Sequence, residues 1–148
     1  MTIYATNKKA RFDYDILETY EAGLVLSGQE AKSIRNGNVG LKGGFVTFHG
    51  NIPLLTNVHI NPYKFAGQLI GYDPTRSRKI LLNTKEINYL REKNQEQGLT
   101  IVPLSVYNKD RLIKLEIGLA KGKKKYDKRE SLKKKEMKRE IKNIFRSS

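Results

Sequence analysis

Between Gly118 and Glu130 the chain reads Gly-Leu-Ala-Lys-Gly-Lys-Lys-Lys-Tyr-Asp-Lys-Arg-Glu, a cationic string broken by two glycines, one aromatic and two acids. Its chemistry is phosphate binding. Gly118 and Gly122 keep the backbone bare enough to approach a sugar–phosphate chain closely. Lys121, Lys123, Lys124 and Lys128 supply point charges, and Arg129 supplies a planar fork able to grip one phosphate twice. Tyr126 offers a ring for stacking on an unpaired base. Asp127 either accepts a bond from a base edge, a 2′-hydroxyl or a partner residue, or caps a following helix with Glu130 at its third position; the cap is preferred.

Two further basic clusters lie upstream, Asn7-Lys8-Lys9-Ala10-Arg11 and Asp73-Pro74-Thr75-Arg76-Ser77-Arg78-Lys79. Each alone is an ordinary exposed loop. Three on one small domain suit a large folded polyanion touched at several places, as structured RNA is.

Catalytic chemistry is poorly provided for. The two histidines, His49 and His59, fall in or beside predicted strands, without cysteines or a carboxylate cluster at ligand spacing. No Gly-x-Ser-x-Gly elbow occurs. The glycines at 118 and 122 resemble a phosphate loop only superficially, because Lys124 stands where Ser or Thr must bind magnesium. A non-enzyme without metal or cofactor is expected. The absence of cysteine fits a reducing compartment, and no run reaches the length of a signal peptide or a membrane span, so a cytoplasmic protein without membrane attachment is expected.

The charge is unevenly held. Residues 120–148 carry 13 Lys or Arg against 4 Asp or Glu, a net of +9 out of the chain's +14. Such a segment repels itself and cannot be buried, so a tail disordered when free and helical when bound is predicted. Met137, Ile141, Ile144 and Phe145 share one helical stripe within it. Residues 1–119 hold most of the large apolar side chains and suffice for one core. The division expected is therefore 1–119 as an RNA-binding domain and 120–148 as a basic tail.

The elements that must position these clusters are mostly β. Phe12, Tyr14 and Ile16 alternate as a strand, and Ala22 to Leu26 forms a second short run. Phe45–His49 and Ile52–Val58 read as a hairpin turned by Gly50-Asn51. Thr100–Tyr107 and Leu112–Leu119 form a long hairpin through residues 108–111. Ser27-Gly28-Gln29-Glu30 has capping-box form, opening a helix to about Asn36 that stops at Gly37, and Asn83-Thr84-Lys85-Glu86 opens another. The string suits a closed or partly open Greek-key barrel of the oligonucleotide-binding (OB) kind with two or three short helices. Periodicity alone leaves a sandwich or an SH3-like barrel open.

These clusters, in this order, closely resemble the SsrA-binding protein (small protein B) family. The resemblance is carried by Asn7–Ala10, by Glu21-Ala22-Gly23-Leu24, by Gly28 with Glu30 to Arg35 and Gly37, by Asp73–Arg76 with Arg78–Asn83, and by Gly118–Lys124 with Asp127–Arg129. It implies an OB-fold body that binds the transfer-RNA-like domain of transfer-messenger RNA and delivers that RNA to stalled ribosomes for trans-translation. It implies a tail that occupies the empty decoding site and message channel against ribosomal RNA, on a protein monomeric off the ribosome. The RNA-binding residues it implies are Asn7, Lys8, Lys9, Glu21 and Leu81, with neighbouring Arg11, Arg76, Arg78, Lys79 and Lys114. The ribosome-directed ones are Lys121, Gly122, Lys123, Lys124, Tyr126, Asp127, Lys128 and Arg129, with Ile144 and Phe145 as the terminal apolar pair. Met137 stands where the family carries an aromatic. Glu21 has two readings, an acceptor for a base amino or imino group or a simple partner for a nearby lysine. The alternative to the whole assignment is a basic ribosomal or nonspecific single-stranded RNA-binding protein, which predicts a steep salt dependence and little preference among RNAs.

Overall fold

The computed structural model describes residues 2–67 and 69–123. Its elements in chain order are β1 (Ile3–Thr6), α1 (Lys8–Asp13), β2 (Tyr14–Leu24), α2 (Gly28–Arg35), β3 (Val39–Gly40), β4 (Phe45–His49), β5 (Ile52–Thr56), β6 (His59–Ile60), β7 (Arg78–Leu81), α3 (Thr84–Asn94), β8 (Leu99–Lys109) and β9 (Leu112–Gly122).

Seven strands make one antiparallel sheet in the order β1-β8-β9-β2-β7-β5-β4, and β3 pairs separately with β6. The sheet curls so that Gly44, just before β4, abuts Pro103 on β8; a Cβ at Gly44 would lie 3.0 Å from the proline ring and 2.6 Å from Val58. The end strands β1 and β4 are not bonded to each other. This is the partly open form of the expected OB-like barrel. Ile34, Leu55, Ile80, Leu90, Ile101, Leu115 and Ile117 fill it.

Local rules explain several elements. Ser27 Oγ accepts from the Glu30 amide and the Glu30 carboxylate accepts from the Ser27 amide, closing the capping box of α2. Asn83 and Glu86 do the same for α3. His49 faces Ile52 across the Gly50-Asn51 turn, with Gly50 at φ +63°. In the β8–β9 hairpin Asp110 and Arg111 both take left-handed φ, 51° and 66°, the geometry of a two-residue turn matched to strand twist.

Elsewhere tertiary contacts override the local pattern. Residues 8–13 are helical although Phe12, Tyr14 and Ile16 alternate; only Tyr14 and Ile16 belong to a strand. The runs 14–16 and 22–24 are one strand, β2, with a register shift between Ile16 and Glu18. β8 is buried from Ile101 to Leu104 because it is covered on both faces. Ile101 points into the barrel, and Val102 and Leu104 pack with Ala10 of α1 and Ala120. That second cluster needs Gly118: a Cβ there would sit 2.9 Å from Leu104 Cδ1 and 3.0 Å from Ile16 Cγ2. Gly118 is thus a packing residue rather than bare backbone for a phosphate.

β9 runs through Gly122, which pairs with Tyr14, and Ala120 is fully buried. Residues 120–122 therefore belong to the barrel, three positions beyond the division drawn at 119.

Candidate nucleic-acid interface

The register of four strands sets one outward row of side chains. Tyr107 on β8 faces Lys114 on β9, Lys114 faces Gly23 on β2, and Gly23 faces Leu81 on β7. The next row runs Ser105, Glu116, Glu21. Residues directly opposite share a face of the sheet, so these positions form one surface. Leu81 is 53% exposed and lies over the notch left by Gly23, where an added Cβ would meet Leu81 Cβ at 3.3 Å. Lys79, two residues before Leu81 on the same strand, is exposed beside it.

Glu21 is held in place on this surface. Tyr107 Oη donates to Glu21 Oε2 at 2.5 Å, and Lys109 Nζ lies 3.3 Å from both carboxylate oxygens. The tyrosine bond, and then the lysine, keep the Glu21 carboxyl below its ordinary range. Burial, and then the same bond, push the Tyr107 hydroxyl up. Glu21 thus pairs with a nearby lysine, Lys109. The carboxylate is still 38% exposed, so its remaining lone pairs face solvent in a fixed direction.

α1 borders the same surface. Arg11 Nη2 donates to Glu116 Oε1 at 3.0 Å, and Lys9 lies 3.6 Å from Asp13 one turn on. Lys8 and Lys9 are exposed. Asn7 is not: its side chain is the N-cap of α1, accepting from Ala10 N–H, while its Nδ2 donates to the carbonyls of Leu41 and Pro103. With 5% exposure, Asn7 positions the helix instead of touching a ligand, which corrects its assignment as an RNA contact.

Arg78 is corrected in the same way. It has no exposed surface, and its guanidinium donates to Glu30, to the carbonyls of Val58 and Pro74, and to Tyr72 Oη. Arg76 also reaches the buried Glu30 carboxylate, although its side chain is 41% exposed. Burial opposes ionisation of Glu30, but the Ser27 amide and both arginines outweigh it and hold the carboxyl at about 2. The sequence Arg-Ser-Arg reads as a cationic loop; one arginine is spent inside and the other half so.

The surface thus joins Arg11, Glu21, Lys79, Leu81, Lys109, Lys114 and Glu116, with Lys8 and Lys9 on its helical border. Tyr107, Lys109 and Glu116 carry no motif and emerge only from the register of β2 and β8 on β9. Four cations against two carboxylates make a surface that reads shape and hydrogen-bond pattern rather than one that holds by charge alone.

The start of the tail is anchored at the same end. Lys123 N–H donates to the Asp13 carbonyl at 3.1 Å, and its ammonium lies 6.0 Å from the Phe12 ring centre. Lys121 and Gly122 are exposed on the last turns of β9. Lys124, Tyr126, Asp127, Lys128, Arg129, Ile144 and Phe145, with the stripe through Met137 and Ile141, lie outside the described residues.

Among the described residues no group of three His, Cys, Asp or Glu could hold a metal ion, and no helix is long and apolar enough to cross a membrane. His49 is exposed, and His59 is bonded to Asn61.

Comparison with known proteins is consistent with this geometry. A family model described as SmpB protein matches residues 4–147. A protein named SsrA-binding protein from Geobacillus thermodenitrificans is 55% identical over 97% of this chain and 92% of its own length. One of the same name from Enterococcus faecalis is 51% identical over 99% and 94%. A chain from a solved structure described as "tmRNA-SmpB: a journey to the center of the bacterial ribosome" superposes with a TM-score of 0.70 at 44% identity, covering 84% of this chain and 87% of that one.

Proposed function

Because the chain belongs to the SmpB protein family, we propose that it binds transfer-messenger RNA through the β2–β7–β8–β9 surface and delivers it to stalled ribosomes for trans-translation. The observation that carries this reading is the fixed, outward-facing Glu21 carboxylate set among Lys109, Lys114 and Leu81. An acid on an RNA-binding face loses Coulomb energy, so its presence there favours a specific donor, such as a base amino or imino group, over bulk phosphate.

The direct contacts in this reading are Lys8, Lys9, Arg11, Glu21, Lys79, Leu81 and Lys114, with Lys109 added. The RNA element they grip is the transfer-RNA-like domain. Lys121, Gly122 and Lys123 begin the ribosome-directed group, which continues through Lys124, Tyr126, Asp127, Lys128 and Arg129 to Ile144 and Phe145. Because Lys123 is tied to Asp13, this segment leaves the barrel beside α1. One face can then hold the RNA while the adjoining end directs the basic segment into the decoding site and message channel. The protein acts by binding, without catalysis or cofactor, as a cytoplasmic monomer off the ribosome.

A gel-shift titration at near-physiological salt tests the reading. The isolated transfer-RNA-like domain is expected to bind well ahead of bulk RNA, with the difference abolished in Glu21→Ala. Equal affinity for both RNAs sinks it in favour of a nonspecific basic binder. Incubation of the pure chain with labelled RNA and divalent metal is expected to leave the RNA intact.

A further inference from the structure

We propose that the described part of the connection between β6 and β7, residues 61–67 and 69–77, with the outer face of α2, is a second RNA contact at which an unpaired nucleobase stacks on Phe65. This goes beyond the face described above, with which it shares no residue, and rests on the chain being an RNA-binding protein.

The described residues between Ile60 and Arg78 belong to no helix or strand, and connections of this length are uncommon in a small domain. Its base is rigid. Ile60 N–H donates to the Pro74 carbonyl at 2.9 Å, Tyr72 Oη donates to the Ile60 carbonyl at 2.9 Å, and Arg78 ties Val58 to Pro74 with Glu30 as counter-ion. The buried network therefore holds the root of this loop as well as the first residue of β7.

The tip carries apolar side chains outward. Phe65 is 75% exposed and Ile70 is 87% exposed, the highest values among the large apolar side chains described. Tyr63 is fixed by its amide, which donates to Gln29 Oε1 at 2.9 Å, and the Ala66 amide donates to the Tyr63 carbonyl, turning the chain at Lys64. The Tyr63 and Phe65 rings meet edge to face at 5.7 Å. Each ring has a lysine 5.6 Å from its centre, Lys32 on Tyr63 and Lys64 on Phe65. Ring and cation in pairs match a base with its own phosphate.

Charge favours RNA over a protein partner. Lys32, Lys64, Arg35 and Arg111 are all exposed. Arg35 Nη2 donates to the Arg111 carbonyl at 3.2 Å, and Arg111 lies two residues from Lys109. The strip thus continues the first face around the end of the barrel. The acids near it are Asp73, whose Oδ1 accepts from the Thr75 amide and hydroxyl, Asp110, in the same turn as Arg111, and Glu30, whose carboxylate is turned inward. An apolar protein surface placed on the two rings would desolvate these cations without compensation.

The chain has no tryptophan, so Phe65→Trp in the full protein places one indole at the site as a reporter. Titration with an eight-nucleotide oligoadenylate is expected to quench and saturate its fluorescence, and a paired RNA hairpin of similar charge is expected to leave it unchanged. Adding Lys32→Gln and Lys64→Gln to the reporter is expected to weaken the oligoadenylate at least about 5-fold and to reduce the salt slope by roughly 1.4, about 0.7 per lost phosphate contact on a single strand. No quenching, or equal quenching by the hairpin, overturns the proposal and leaves the loop to a protein partner. Neither RNA contains the transfer-RNA-like domain, so failure of the function proposed above does not alter this readout, and failure here leaves that function standing.

Discussion

Glu30 and Arg78 lie 48 residues apart in the chain and form an ion pair in which neither side chain has any exposed surface. The same carboxylate closes the α2 capping box, accepts from Tyr72 and receives Arg76. One acid therefore joins a helix start, the root of a long loop and the first residue of β7. Removing either member of such a pair leaves the other charged and buried, which is worse than never having had the pair.

Glu30→Gln is accordingly expected to lower unfolding stability by about 3–5 kcal/mol. The pH dependence has a definite sign. The folded Glu30 carboxyl sits at about 2 against an ordinary 4.5, so its stabilisation is complete above pH 4.5 and is lost as pH falls through about 2. Denaturant melts of the parent chain across that window are expected to lose stability more steeply than those of Glu30→Gln. Parallel curves would remove Glu30 from the acid limb.

Asn7→Ala is expected to cost about 1–3 kcal/mol, because it uncaps α1 and leaves the Leu41 and Pro103 carbonyls without their donor. RNA affinity, measured where the variant is folded, is expected to fall only through displacement of α1. Lys8→Gln and Lys9→Gln are expected to reverse that order, losing RNA affinity with stability unchanged within about 0.5 kcal/mol. Thermal melts paired with RNA titrations separate the two classes.

How far these roles can be read from the sequence follows the range of the interactions. The caps at Ser27 and Asn83 and the turn at Gly50-Asn51 obey rules confined to four residues, and they appear where the residue types place them. α1 escapes because its cap residue draws on carbonyls 34 and 96 positions away, while the two-residue spacing of Phe12, Tyr14 and Ile16 imitates a strand. β1 escapes because four residues acquire their partners only across the sheet on β8. Arg78 is the sharpest case. A Pro-Thr-Arg-Ser-Arg stretch has no large apolar side chain, and the distant, buried Glu30, with the Val58 and Pro74 carbonyls and Tyr72, turns its last arginine inward. Glu21 enters through the family resemblance, but its partner Tyr107 carries no signal in the sequence, since the register that joins β2 to β8 through β9 leaves no local trace.

Tyr107→Phe is the test of that partnership. It removes the donor that fixes Glu21 while keeping the ring in place. The Glu21 carboxyl is expected to titrate closer to its ordinary range by carboxylate-resolved NMR, since the tyrosine bond is the main cause of its lowering. Affinity for the transfer-RNA-like domain is expected to fall by about tenfold, the loss of one charge-assisted hydrogen bond's worth of preorganisation at roughly 1.5 kcal/mol. An unchanged titration would show that Lys109 alone orients the carboxylate.

Salt dependence distinguishes the cations on the sheet face from those in the loop root. Lys114→Gln and Lys79→Gln are each expected to reduce the slope of log affinity against log salt by about 0.7–0.9. Arg78→Gln, whose parent side chain is sealed from solvent, is expected to lose stability with no such change in slope among molecules that remain folded.

The end of β9 fixes where the basic segment can be removed. A chain stopped at Gly118 would lose Leu119 and Ala120, both buried, and the pairs from Tyr14 to Gly122 and Asp15 to Lys121 that hold β2 against β9. Burial of one large aliphatic side chain is worth about 1.5–3 kcal/mol, so that chain is expected to be destabilised and to bind RNA poorly for reasons unrelated to any contact. A chain stopped after Lys123 keeps every one of those pairs, together with the bond from Lys123 to Asp13. It is expected to match the full protein in thermal stability and in affinity for the isolated transfer-RNA-like domain, and to fail in a translation assay that scores tagging of stalled nascent chains. Normal tagging by the chain ending at Lys123 would overturn the assignment of the basic segment to the ribosome, because the barrel and its RNA face would then suffice.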